Sequence, residues 1–411
     1  MSMPRYQAAA PAVELQPWRP STWGMLVVGA LLAGVLLGAA IAQFMFQGSF
    51  SKYEYHLWRW EANTLLDNLF ARASIGPDPN QTQGESAVRE YFALTSQIRA
   101  QIEGPAPDAA LVDALANERS AYENDVERLV ERYIDEALRD TDLERSLPLF
   151  ASAELLWPPV DFELTSPPRL LVRSPRDRIE RVGDTLLKND LSLADIEEIE
   201  SDTTDEDSVS VVVNIGGIAA YPAIVRDDRS YASLVETASH EWVHHYLAFY
   251  PLGMKWGDGG DSETLNETTA NIAGREIANL VHARHPIDLP EDADGRAPPA
   301  PPATVNFNEE MRALRLEVDR LLAEAKVAEA EQAMESKRQF LAENGIVIRK
   351  INQAYFAFYG TYGASPQSSN PIGPKIERVW ELTQDVGVFL TLMREIEDID
   401  ELDELLAALE G

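Results

Sequence analysis

Apolar residues recur along this chain in one uninterrupted run and then at two alternating spacings. Trp23 to Phe46 spans 24 residues with no charge and one clearly polar side chain, Gln43. That length crosses the hydrocarbon core of a bilayer as a helix. It exceeds a usual signal-peptide core, which favours an uncleaved signal-anchor over cleavage at Ala40-Ile41-Ala42. From Ser51 to about Trp157 the spacing is mainly helical, as in the Leu-rich stretch Ala109 to Leu147, with a break at Gly104-Pro105. Val160 to Ser174 changes to strand character through Phe162, Leu164, Leu170, Leu171 and Val172. A short helix over Ser192 to Ile199 and an acidic loop from Asp202 to Asp207 follow.

Ser208 to Val225 is a β-branched run interrupted by Gly216-Gly217, and Pro222 within it cannot donate to a ladder. These breaks predict an edge or a bulge. Gly217, Ile218 and Ala219 then read as an edge that aligns an extended peptide, or as an ordinary hairpin strand reaching the core. Tyr231 to Phe249 contains no Gly or Pro, has Ser230 as N-cap, and stops at Pro251 and Gly253. A glycine-rich connection leads into a second helix, from Ser262 towards His285. Ala297 to Ala303 is a stiff proline-rich linker. Beyond it Asn308 caps a predicted long helix, Glu309 to Glu343; one helix runs through Tyr359, another starts after Pro374, and Glu395 to Glu410 forms an acidic surface helix.

The expected fold is therefore α+β. Its parts are a tail (1–22), a transmembrane signal-anchor (23–46), a helical region (51–157) and a catalytic region with a small mixed sheet (158–290). A proline-rich linker (291–303) and a helical C-terminal unit that completes the cleft (304–411) follow.

Within the catalytic region His240-Glu241-Trp242-Val243-His244 uses two of the chain's six histidines in an H-E-x-x-H pentad. On a helix the two imidazoles stand one turn apart on one face and can share a Zn²⁺. Glu241 then lies where a carboxylate takes a proton from metal-activated water. If the following helix packs antiparallel, it brings Glu267 to the same face, giving the His, His, Glu set of a catalytic zinc site. Glu263, one turn earlier, and Glu276 are rivals on that helix; Asn271, one turn later, can orient a ligand imidazole as an outer partner.

The pentad followed by Asn266-Glu267-x-x-x-Asn271-Ile272-x-Gly274 resembles the thermolysin-like gluzincin metallopeptidases. The resemblance covers Val209 to His285, about a fifth of the chain. It implies zinc on His240, His244 and Glu267, general base catalysis by Glu241, and Asn271 where such enzymes carry an acid. It also implies a Tyr or His that donates to the oxyanion. Tyr355, Tyr359 and Tyr362 fall on one helical face, with Tyr359 the favoured donor; His245, His282 and His285 are further candidates.

Composition limits the partners. Against 35 Lys and Arg stand 68 Asp and Glu, a formal charge of −33 that argues against nucleic acid. The absence of cysteine excludes a disulfide framework and thiolate metal sites. Arg5 and Arg19 before the apolar run balance Lys52 and Arg59 after it, so orientation rests on the large acidic domain that follows, which is expected outside the cytoplasm. Ala30, Gly34, Gly38 and Ala42 form a small-residue stripe suited to a homodimer. The expected activity is that of a membrane-anchored zinc metallopeptidase, an endopeptidase rather than an aminopeptidase, acting on peptide or protein substrates. The alternative is an inactive adaptor of the same fold that binds peptides or partners at the membrane.

Overall fold

The computed structural model describes residues 52–57, 59–61, 64, 81–141, 143, 145–146, 154–256, 259–294, 305–363 and 365–411. The apolar run, its small-residue stripe and residues 295–303 of the expected linker lie outside them, while 291–294 are helical. Among the described residues no helix is long and apolar enough to cross a membrane. Lys52 to Gly411 form one unit of α+β architecture.

Three helices come first: α1 (Gln81–Glu103), α2 (Ala109–Arg119) and α3 (Glu123–Leu138). A two-residue ladder pairs β1 (Arg145–Ser146) with β2 (Glu154–Leu155). Two three-stranded sheets follow. One has the order β5-β4-β6 and is antiparallel throughout, from β4 (Arg169–Pro175), β5 (Gly183–Leu187) and β6 (Ser208–Asn214). The other, β3-β8-β7, is mixed. In it β3 (Phe162–Leu164) runs parallel to β8 (Ala223–Val225), and β7 (Gly217–Ile218) runs antiparallel to it. The β-branched run at 208–225 thus serves two sheets, and the Gly216-Gly217 break is where it passes from one to the other. Between β5 and β6, α4 (Leu193–Asp202) starts at a capping box made by Ser192 and Asp195.

The pentad lies on α5 (Tyr231–Leu247), whose first turn is capped by Ser230 accepting from the Ser233 N–H. After the single turn α6 (Pro251–Met254) comes α7 (Asp261–Arg284), packed along α5. A Cβ on Gly274 would stand 2.9 Å from the His240 Cα, so glycine lets α7 reach the backbone of α5 at the pentad itself. The turn α8 (Glu291–Asp294) ends this stretch.

The long helix expected over Glu309 to Glu343 is two helices, α9 (Phe307–Ala323), capped by Asn306 rather than Asn308, and α10 (Val327–Glu343). Ala325 adopts a φ of 58°. Around it the Lys326 N–H reaches the Leu321 carbonyl and the Ala325 N–H that of Leu322, each at 2.9 Å, the paired bonds of a helix terminus that reverses the chain. The reversal lets Met311, Leu314 and Val318 of α9 share a core with Ala330, Met334 and Leu341 of α10. Then come α11 (Gln353–Tyr359), α12 (Ile372–Thr383), α13 (Val386–Met393) and α14 (Ile399–Glu410).

The buried residues form two cores. One gathers α1, α3, α5, α7, the β3-β8 strands and the last three helices; the other gathers β4 and β6 with α9, α10 and α11. Trp242 and Val243 of the pentad belong to the first.

Candidate metal centre

Helical spacing and the α5–α7 contact bring three ligand atoms together. The Nε2 atoms of His240 and His244 lie 3.0 Å apart, and Glu267 Oε2 stands 3.5 Å from the first and 3.6 Å from the second. Ligands placed tetrahedrally at about 2.0–2.1 Å from one ion are about 3.3 Å from each other. The three residues therefore fit a metal ion without rearrangement, and they are a group able to hold one. Glu267 Oε2 is buried with no hydrogen-bond donor, as an oxygen reserved for a cation would be. The site offers nothing that by itself selects zinc.

Electrostatics follow from this closeness. Burial alone would raise Glu267, but His244 and His240 reverse that and hold its carboxyl well below the usual carboxylate range. Burial works against charge on His244, yet Glu267 outweighs it and, with Glu241 and Asn266, raises the imidazole to about 9. A cation binding there competes with protonation of His244. Glu241 is buried; burial raises its carboxyl, His240 and His244 draw it down, and Glu267 raises it again, leaving it above its ordinary value.

The outer partner of a ligand histidine is Asn266, not the expected Asn271. Asn266 Oδ1 lies 2.8 Å from His244 Nδ1, while its amide nitrogen donates to the Leu252 carbonyl at 3.4 Å. Held that way, Asn266 fixes the tautomer that leaves Nε2 facing the cluster. Asn271 lines the adjoining cavity instead. The Trp256 indole N–H donates to Glu267 Oε1 at 3.4 Å from the glycine-rich connection. The rival Glu263 is paired with Arg181; burial raises its carboxyl to about 7, with Arg181 pulling the other way. Arg181 also binds Asp184 and lies over the Phe358 ring.

The cluster opens into a cavity of about 810 Å³. One wall is the segment Gly216 to Ala219; another, from the second core, includes Leu170, Leu186, Ile215 and Phe358. The strand β7 ends its sheet, so Gly217, Ile218 and Ala219 lie at a sheet edge on the cavity. A Cβ on Gly217 would strike Glu241 Oε1 and come within 2.8 Å of the Ile224 carbonyl, so only glycine allows the edge this near the pentad carboxylate.

Tyr359 does not reach this cavity. It lines a second one, of about 560 Å³, with Val211, Val213 and Ile346. Tyr362 lines the metal cavity, and its phenol is raised well above the usual value by burial and then by Glu267 and Glu241. It lies past the end of α11, where Gly363 packs on Gly373, a Cβ on either falling within 2.8 Å of the other's backbone, and donates its N–H to Thr268 Oγ1 at 2.8 Å. His285 stacks on Tyr133 and pairs with Glu136, and His282 meets Tyr231; neither lines the cavity. His245 lines it from the turn that carries His244. Of the residues not singled out from sequence, Asn266 had one signal, its place directly before Glu267; Trp256 and Arg181 had none.

Comparison with protein-family models, curated proteins and solved structures returns no match.

Proposed function

We propose that this protein is a membrane-anchored zinc metallopeptidase of gluzincin type that cleaves peptide bonds internally. The observation that carries the reading is the convergence of His240, His244 and Glu267 at ligand spacing beside the buried Glu241. Zinc bound there would supply Lewis-acid polarisation of the scissile carbonyl and a lowered water pKa. Glu241 acts as general base, taking the proton of the attacking water and passing it to the leaving amine. Tyr362, rather than Tyr359, donates to the oxygen on which charge develops. The edge of β7, unpaired among the described residues, receives extended substrate backbone, which favours cleavage within a chain over removal of its first residue. The apolar run at 23–46 is proposed as the anchor, with the catalytic unit outside the cytoplasm.

The test joins metal analysis with a peptide-library digest. Wild type is expected to hold one zinc and to cleave peptides, with chelation abolishing cleavage and zinc restoring it. Glu241→Gln is expected to keep the zinc and lose about 10²–10⁴-fold in rate. A metal-loaded wild type that cleaves no peptide leaves the adaptor reading in place, and normal cleavage by Glu241→Gln overturns the mechanism.

A further inference from the structure

The pentad is followed at once by another histidine, which takes no part in the metal cluster. His245 is buried, with Nε2 2.6 Å from the Ala220 carbonyl, and the Tyr221 ring stands edge-on to it at 5.4 Å between centroids. Its Nδ1 is buried with no hydrogen-bond partner. A carbonyl can only accept, so the bond requires an N–H on Nε2. The carbonyl it binds belongs to the residue that follows directly on the wall segment Gly216 to Ala219. Only two residues of that segment pair with β8, a ladder too short to hold its position alone. One turn of α5 therefore carries His244 to the metal cluster and His245 to the edge strand.

We propose that His245 is a positioning residue that sets the distance between the substrate-aligning edge and the metal centre, by tethering Ala220 to the pentad helix. The inference rests on the peptidase reading for its consequence, but the tether has a readout of its own. Gln and Met have nearly the same length, and only Gln can donate a hydrogen bond. Hydrogen exchange of the amides at 216–221 is therefore compared in wild type, His245→Gln and His245→Met, each at full length and with zinc added. Loss of one buried hydrogen bond is expected to speed exchange about five- to tenfold in His245→Met and to leave His245→Gln within about twofold of wild type. With an extended peptide, His245→Met is expected to raise KM about five- to tenfold, with kcat within about twofold and zinc content unchanged. A residue that merely supported folding would reduce kcat and zinc content together.

Equal exchange in the Gln and Met variants overturns the tether, and a kcat loss without a KM change overturns its substrate-aligning role. If wild type cleaves nothing, the peptidase reading fails while the exchange comparison still decides the tether. Should neither variant fold, ¹⁵N-histidine spectra of wild type decide it, with a neutral Nε2–H tautomer expected for His245 and an Nδ1–H tautomer overturning it.

Discussion

At the scale of single residues, the two tyrosines at the end of α11 give the sharpest contrast. Tyr362 lines the metal cavity with a phenol held in its protonated form by burial, Glu267 and Glu241, so it remains a donor across the neutral range. Tyr359 faces the other cavity. Tyr362→Phe is expected to lower kcat about 10²–10³-fold with zinc content unchanged, and Tyr359→Phe to stay within about twofold of wild type. Steady-state kinetics of the two variants on one peptide decide it; equal losses would remove Tyr362 from the chemistry. Helical-face reasoning groups Tyr355, Tyr359 and Tyr362, but α11 ends at Tyr359, and beyond it the Gly363–Gly373 contact decides where the chain points.

At the scale of elements, the chain closes three of the outer edges of its two main sheets. β5 is bordered by the stretch at 53–55 through Tyr55 N–H to the Leu186 carbonyl and Lys188 N–H to the Tyr53 carbonyl, both at 2.8 Å. The outer edge of β6 is met by side chains: Glu200 accepts from the Val212 N–H, Arg349 donates to the Val212 carbonyl, and Asn352 donates to that of Ser210. On β3 the N–H groups of Phe162 and Leu164 donate to Glu131 and Glu127, one turn apart on α3. Among the described residues that leaves β7, which borders the cavity. Closing edges in this way prevents unwanted strand pairing.

Glu127 pays for its role with a carboxyl raised from 4.5 to about 8, through burial first, then Glu163. The native state holds this proton up to about pH 8, whereas the unfolded chain releases it near 4.5, so stability falls as pH rises through that window. Glu127→Gln keeps an oxygen for the Leu164 N–H and removes the titration. It is expected to be more stable than wild type at pH 8.5 by on the order of 2–4 kcal/mol and nearly equal at pH 4.5. Denaturant melts at both values check this, and a gap that does not change with pH would show that Glu127 is not a buried acid.

At the scale of the whole molecule, the cavity draws its walls from segments as distant in sequence as Leu170 and Tyr362. The apolar run before Lys52 carries the expectation about location. Full-length protein is expected to stay with membranes in alkaline carbonate, and removal of 23–46 to release it; release of the full-length chain would end the anchor reading. The helices α5 and α7, their starts, and the places of His240, His244 and Glu267 on them were legible because caps, breakers and the four-residue helical repeat are local properties. The α9–α10 reversal escaped notice because Ala325, with no glycine to mark it, takes the left-handed conformation to let two apolar stripes share a core. Asn266 behind His244, Arg181 on Glu263, Tyr362 over the cavity and His245 on Ala220 all depend on how far apart segments approach. The sequence by itself determined that His240 and His244 share one face of a helix and that Glu267 lies on the next one, because periodicity is local. Only the tertiary structure decided what surrounds them, because those neighbours are set by close packing at Gly217, Gly274 and Gly363, where one missing side chain lets distant backbones meet.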